Sequence, residues 1–583
     1  MKRSRERSRA WQPAVAHWRA RVLFFLLMGF FGVLLARAVW LQGFSVVFLQ
    51  KQGEERFSRR IEQVASRGTI RDRNGIPLAV STSADSIWVR PEELAINHQQ
   101  KVALSRLLQM PLTELDKKLN QDDRSFVYLK RQIDPGVALQ IMKLKISGVY
   151  DQTGFHRIYP WGSEMAHLVG FTSVEDQGQE GMELSYENLL RGVGGVTRVV
   201  KNRRGAVIET MGDVRAYQAG RDLTLSVDAR LQHLVSRALR QTVLEHRAKA
   251  GAVVVLDAHT GEVVAMCNYP DFDPNDRGHL TGEDLRNRAL TDIYEPGSII
   301  KPLVIGEALQ NHLITPETVI DTQNGSFEIA HHIIRDSHPA PLMTVREVIQ
   351  HSSNIGAAKI GLMMSPHMEW NVLTDVGFGQ VPHLGFPGES PGRLRPYANW
   401  KPIEQATISF GNGVAVSLIQ MAHAYTVFTN QGKLLPLSLL LNHEHSLVNR
   451  QVFDPSVVQE VTSMMEKVVS PEGTAPLAQV HGYRVAGKTG TAHKVVGGHY
   501  VNQYVASFVG FAPVSNPQYI MAVMIDEPQG QDYYGGQVAA PLFSKIMGDI
   551  LEVQQIPFDD PNISVGSHPN EGILTQETQK APT

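Results

Sequence analysis

From Val22 to Ala36 the chain carries no polar side chain (VLFFLLMGFFGVLLA), and after Arg37 the apolar run resumes as Ala38, Val39, Trp40 and Leu41. A helix needs about 20 such residues to cross about 30 Å of hydrocarbon, so 22–41 is predicted to span a membrane. Ala36-Arg37-Ala38 offers a small-residue cleavage site, but apolar character continues past it through Phe44 to Leu49, which favours a retained anchor over a signal peptide. No second run of that length follows, so a single-pass protein is expected. Further on, the pattern becomes that of a water-soluble chain. Residues 50–66 are charged and helix-like, and Asn74-Gly75 between apolar stretches signals a hairpin turn. Residues 97–145 place Leu and Ile at three- and four-residue spacing and read as helices. Residues 150–220 are Gly-rich and strand-like, so that 60–220 reads as a mixed, elongated module without evident reaction chemistry.

The pattern changes near Leu223. Ser226-Val227-Asp228 reads as a helix start for the amphipathic stretch 229–248. Gly251–Asp257 and Glu262–Met266 flank a short turn as a buried hairpin, and Tyr504–Phe511 with Tyr519–Ile525 form a second strand pair. Between them 280–480 is mostly helical. Strands at both ends with helices inserted predict one α+β domain whose central antiparallel sheet is completed by distant parts of the chain. The expected organisation is a tail over 1–21, a transmembrane helix over 22–41, a juxtamembrane helix and pedestal over 42–222, a catalytic domain over 223–557 and a polar tail over 558–583.

At 583 residues the chain exceeds one core, and a formal net charge of −2 gives nucleic acid nothing to bind. The charge is unevenly placed: Lys2, Arg3, Arg5, Arg7, Arg9, Arg19 and Arg21 are opposed only by Glu6. That basic flank should stay in the cytoplasm, which puts everything after the anchor outside. The lone cysteine, Cys267, sits in an apolar stretch and reads as a buried small hydrophobe.

Candidate chemistry begins at Glu295-Pro296-Gly297-Ser298-Ile299-Ile300-Lys301. One helical turn places the Ser298 hydroxyl and the Lys301 ammonium on one face. A serine needs a base, and a lysine serves only where burial or neighbouring positive charge lowers its pKa. Alone the pair is common by chance. It gains meaning from Ser352-Ser353-Asn354, whose hydroxyl can relay a proton and whose amide can hold a substrate amide. Lys488-Thr489-Gly490-Thr491 follows, small residues entering a strand with a cation for a carboxylate. Weaker candidates are a metal site at His331, His332, Asp336 and His338 or at His443 and His445, unsupported by thiolates, and Asp526-Glu527 at a strand end, read as a rim.

These three motifs in this order resemble class B penicillin-binding proteins. Arg67-Gly68-Thr69-Ile70-Arg71-Asp72-Arg73 and Gly181–Tyr186 with Leu190-Arg191-Gly192 resemble the pedestal (dimerisation-type) motifs. Asn287–Asp292 resembles the septal, FtsI-like subgroup. The resemblance implies a penicillin-binding, β-lactamase-like transpeptidase fold and a peptidoglycan D,D-transpeptidase that cross-links stem peptides at the division septum. Ser298 would attack the bond between the last two D-alanines of a stem pentapeptide, releasing D-alanine. Lys301 would be the base, with Ser352 and Lys488 sharing the proton relay. Backbone N–H groups of Ser298 and Thr491 would form the oxyanion hole. Asn354 would hold the acyl side chain, and Thr489, Gly490 and Thr491 would line the carboxylate subsite. β-Lactams would acylate the same serine. No metal or organic cofactor is implied. Partners would be a separate membrane glycosyltransferase and other division-complex proteins, at the bacterial inner membrane with the catalytic domain periplasmic. The alternatives are an elongation-complex transpeptidase, a β-lactamase or β-lactam sensor, and a non-catalytic scaffold of the division complex. Two positions depart from the family pattern: Asn412 replaces an aromatic between Gly411 and Gly413, and His493 stands where Arg is common.

Overall fold

The structure, a computed structural model, describes residues 17–44, 48, 58–121, 124–201, 207–441 and 450–561. They form two compact units, one from the chain up to residue 65 with 193–218, the other from 66–192 with 219 onward. In the first unit the apolar helix His17–Val39 continues as a π-helical turn, Trp40–Phe44. The segment His17–Gly43 is long and apolar enough to cross a membrane, and its apolar window buries nothing against protein. The same unit holds a three-stranded antiparallel sheet with Gly195–Lys201 between Ser58–Gln63 and Val207–Arg215. The helix expected over 50–66 is therefore corrected at its described end. Ser58–Gln63 pairs from Ser58 opposite Val200 to Gln63 opposite Gly195, a partner too remote in sequence for local pattern to reveal. Residues 49–57 lie outside the described residues.

In the second unit, the long strand Pro77–Val89 pairs along much of its length with Val149–Ile158 and near its end with Val127–Ile133. Helices His98–Leu108, Leu112–Leu119 and Pro135–Lys143 bury Leu104, Leu115 and Ile141 against Ile87 and Leu129 as a small separate core. Helices were expected throughout 97–145, and Val127–Ile133 corrects that reading. In a run that short the two periodicities overlap, and the buried Val127 and Leu129 alternate as a strand requires. Towards the larger domain, the pedestal motifs meet in a buried ionic cluster. Glu183 accepts from Arg67 Nε at 2.5 Å and from Arg157 Nε at 2.7 Å, and all three side chains are almost wholly buried. Arg67 also donates to the Glu183 carbonyl and pairs with Glu187 at 2.6 Å.

The larger domain is built on an antiparallel sheet of β1 (Ala250–Asp257), β2 (Val263–Tyr269), β3 (Ala486–Val496), β4 (His499–Ala512) and β5 (Tyr519–Asp526), in the order β2-β1-β5-β4-β3. This is the α+β architecture that the pattern predicts. β1 and β5 are apolar on both faces because both faces are covered. Helices α1 (Ala229–Glu245) and α4 (Gly535–Val553) pack against the sheet and against one another, and Leu418–Ala424 also packs on β1 and β5. Asp228 caps α1 by accepting from the Arg230 and Leu231 amides, at the predicted helix start. Asp72 of the pedestal motif accepts from the Ala229 amide at 3.1 Å, tying that motif to the same helix end. At the C-terminal end, Phe558 and Asp559 fall in the stretch read as a polar tail but are docked. Phe558 packs on Tyr483 with ring centroids 5.0 Å apart, and Asp559 accepts from the Arg484 amide at 2.7 Å. Residues 562–583 lie outside the described residues. Cys267 is buried, with its thiol pushed well up by that burial.

Replacing Glu183 by alanine would leave the Arg67 and Arg157 guanidiniums buried without their shared counter-charge. Glu183→Ala is expected to lower the unfolding free energy by about 3–5 kcal/mol in denaturant titration.

Candidate active site

Two chain segments approach along the exposed edge of β3. Gly297–Ile300 is a single 3₁₀ turn that runs directly into α2 (Lys301–Gln310) and carries the half-buried Ser298 at its start. Close approach dictates its composition. Gly297 has φ +56°, and a Cβ on the facing Gly411 would lie 2.2 Å from the Gly297 carbonyl oxygen. On β3, a Cβ at Gly490 would fall 2.4 Å from Ser507 Oγ and 2.8 Å from the Pro296 carbonyl oxygen, so only glycine lets the strand lie against the turn. From behind, buried Tyr425 donates its hydroxyl to the Ile299 carbonyl at 2.8 Å.

The second segment is the turn before α3 (Asn354–Met363). Ser352 takes the left-handed conformation, φ +61°, which lifts its hydroxyl between two lysines. Lys301 Nζ donates to the Ser352 carbonyl at 2.6 Å, to Ser352 Oγ at 3.2 Å and to Asn354 Oδ1 at 2.9 Å. Lys488 Nζ donates to the same Ser352 Oγ at 2.9 Å. Both lysines are fully buried. Burial, then the nearby Lys488 charge, pushes Lys301 well below the ordinary ammonium range, while burial lowers Lys488 to about 7. The structure thus brings Ser352, Asn354, Lys301 and Lys488 into one hydrogen-bonded group. Thr491 and Gly490 lie on β3 beside the Ser298 turn. Thr489 Oγ1 contacts Thr474 Oγ1 at 3.0 Å, and Thr491 Oγ1 accepts from the Gly535 amide, the first residue of α4, at 3.0 Å. Asn354 is engaged at both ends within the protein, since its Nδ2 donates to the Arg335 carbonyl at 3.0 Å.

Several residues of the site carry no sequence signal of their own. Asp336, met in the sequence only among weak metal candidates, caps α3. Its Oδ1 accepts from the Asn354 amide at 2.6 Å and the Ile355 amide at 3.0 Å, and its Oδ2 accepts from Ser353 Oγ at 2.5 Å. A cap 17 residues from its hydroxyl partner cannot be read locally. Among the described residues no group of three or more His, Cys, Asp or Glu side chains could hold a metal. His331 is fully exposed at the turn between the strands Ser326–Ile329 and His332–Arg335, and His443 and His445 lie outside the described residues. Asp526 and Glu527, read from the sequence as a turn or rim, accept from Lys494 at 2.7 Å each. Beside Thr491 stands a ladder of rings: His493 to Tyr504 at 4.5 Å, Tyr504 to Tyr533 at 4.3 Å and Tyr533 to Tyr534 at 4.4 Å.

Residues 251–548 match the penicillin-binding protein transpeptidase domain, and 62–225 match the penicillin-binding protein dimerisation domain. The chain belongs to the penicillin-binding protein transpeptidase family. It is 41% identical to the probable peptidoglycan D,D-transpeptidase PenA of Neisseria gonorrhoeae over 93% of this chain and 94% of that one. It is 39% identical to the peptidoglycan D,D-transpeptidase FtsI of Escherichia coli K12, over 96% and 95% respectively. The apo transpeptidase domain of Burkholderia pseudomallei penicillin-binding protein 3 superposes with a TM-score of 0.54 at 45% identity, covering 58% of this chain and 98% of that domain. In this penicillin-binding protein, then, the three motifs converge on a site carried by the matched transpeptidase domain.

Asp336 satisfies two amides and one hydroxyl at the start of α3. Asp336→Ala is expected to cost about 1–2 kcal/mol of stability, read by denaturant unfolding, as for the loss of a helix cap.

Proposed function

We propose that this protein is a peptidoglycan D,D-transpeptidase that cross-links stem peptides through an acyl-enzyme on Ser298. The observation that carries the reading is the convergence of two buried lysines on Ser352, one of them a helical turn from Ser298. A buried ammonium without a carboxylate partner tends to shed its proton, and a neutral Lys301 amine is a competent base for a serine. Lys301 takes the Ser298 proton as Oγ attacks the carbonyl between the two terminal D-alanines. The Ser298 and Thr491 amides stabilise the oxyanion. The leaving D-alanine nitrogen collects a proton relayed through Ser352 and Lys488, and the C–N bond breaks. An amine of a neighbouring stem then attacks the ester, gives up a proton to the same relay, and frees Ser298. The substrate lies along the free edge of β3, its terminal carboxylate among Thr489, Gly490 and Thr491. An acyl-group amide reaching Asn354 competes with the Arg335 carbonyl for Nδ2. The β-lactam ring, an amide in the same position, acylates Ser298 in the same way.

The apolar helix anchors this domain at the inner membrane, with 1–21 cytoplasmic and the catalytic domain over 223–557 periplasmic, carried on the pedestal over 42–222. The names of the relatives favour the septal assignment, in which a membrane glycosyltransferase and other division proteins are the partners. Depletion should give filaments; round cells would assign it to elongation instead.

Fluorescent penicillin should label the wild-type protein covalently and Ser298→Ala not at all; equal labelling of both would overturn the mechanism. The pH dependence has a definite sign. The neutral fraction of an amine rises with pH, so with Lys301 depressed the acylation rate should plateau well below the ordinary lysine pKa and fall on the acid side. Lys301→Arg, which cannot deprotonate, should lose about a thousandfold or more at every pH, measured as the second-order acylation rate.

A further inference from the structure

β4 pairs with β5 only from Val505 onward, opposite Asp526, whereas its pairing with β3 continues out to Val496 opposite His499. Residues 493–504 therefore leave the sheet as a two-stranded ribbon with its turn at Gly497 and Gly498, both at positive φ. Such a ribbon is marginal by itself, so side chains must fix where it stands. Behind it lies a cavity of about 410 Å³, lined among others by Glu295, Arg393, Val495 and Gly498. On one side Lys494 bonds Asp526 and Glu527. On the other, Tyr500 donates its hydroxyl to Glu295 Oε2 at 3.0 Å.

Glu295 lies three residues before Ser298 and is nearly buried, and its Oε1 also accepts from the Gly413 amide at 2.9 Å. The Asn412 side chain lies near the same Tyr500 hydroxyl. The Gly411 carbonyl in turn accepts from the Gly297 amide at 3.2 Å. One carboxylate thus joins the nucleophile segment, the 411–413 loop and the ribbon. We propose that Glu295, Tyr500 and Asn412 form a latch that holds the β3–β4 ribbon at a fixed distance from Ser298. They are positioning residues that set the spacing between the ribbon and the Ser298 turn. The proposal rests on Ser298 being the acylated residue. It gives Asn412 a task suited to an amide: to share the Tyr500 hydroxyl with the carboxylate. Burial raises the Glu295 carboxyl and brings the Tyr500 phenol up to about 12, so the tyrosine remains the donor across the working pH range.

The test is a double-mutant cycle on full-length protein, read as the second-order acylation rate by a fluorescent penicillin. Tyr500→Phe and Glu295→Gln should each slow acylation about fivefold, the worth of one net hydrogen bond, and the double variant should be no slower than the slower single. The acid-side midpoint of the pH profile should stay at the wild-type value, because the latch does not touch Lys301. Amide hydrogen exchange should rise at 493–503 in Tyr500→Phe and in Asn412→Ala. Wild-type acylation rates in Tyr500→Phe, or single effects that multiply in the double variant, would overturn the latch. Should Glu295→Gln not fold, Asn412→Ala takes its place in the cycle with the same expectation. Failure of the wild-type protein itself to be acylated would refute the mechanism rather than the latch.

Discussion

Lys301 and Lys488 are both fully buried, both aim their ammonium ends at the Ser352 hydroxyl, and their hydrogen bonds go to Ser352, Asn354 and Thr489 rather than to a carboxylate. Burying one such charge without a counter-ion costs several kcal/mol, and burying two side by side costs more, because they also repel. The cost is relieved when a proton leaves one of them. Asp336 is the nearby carboxylate that opposes the shift of Lys301, yet its oxygens are committed to the end of α3. The local arrangement keeps the Lys301 ammonium easily deprotonated by denying it a direct ion pair.

This constraint explains why the domain is assembled from such distant segments. Lys301 stands on a helix after the turn that carries Ser298, Ser352 on a strained turn before another helix, and Lys488 on the edge strand of a sheet begun at Ala250. Holding three groups to within a hydrogen bond of one another requires rigid elements. The twice-covered sheet supplies rigidity, and the Asp336 cap and the Tyr425 hydroxyl fix the two turns that carry Ser352 and Ser298.

The sequence made legible what is local and periodic. The membrane-length helix, the cap at Asp228, the strands read over 251–257 and 519–525 and the three motifs could all be read from spacing and residue type. Each depends on neighbours within a few positions. The strand Ser58–Gln63 was hidden because its partner begins at Gly195, and Val127–Ile133 because seven residues do not separate the two periods. Within the site the same division holds. Ser298 and Lys301 announce each other by spacing, whereas Asp336, Tyr425, Glu295 and Tyr500 act on residues remote in sequence. Asn412 and His493 stood out only as departures from a pattern. The fold shows why neither is a simple replacement: Asn412 lies near a tyrosine hydroxyl, and His493 joins a stack of rings with Nδ1 3.1 Å from the Val501 carbonyl oxygen.

The edge strand itself is divided in a way that matters for chemistry. Its inner half, through Thr491, is backed by β4 where β4 is itself backed by β5, and it carries Lys488 and the small residues against which Ser298 is set. Its outer half belongs to the ribbon and depends on a few polar ties. The Lys488 to Ser352 hydrogen bond needs its partners held to about half an ångström, and the doubly backed half provides that. The transition between the two falls at the bulge after His493, within two residues of Thr491. The two halves of one continuous strand are therefore held by different interactions, the inner by sheet pairing and burial and the outer by a few side-chain hydrogen bonds.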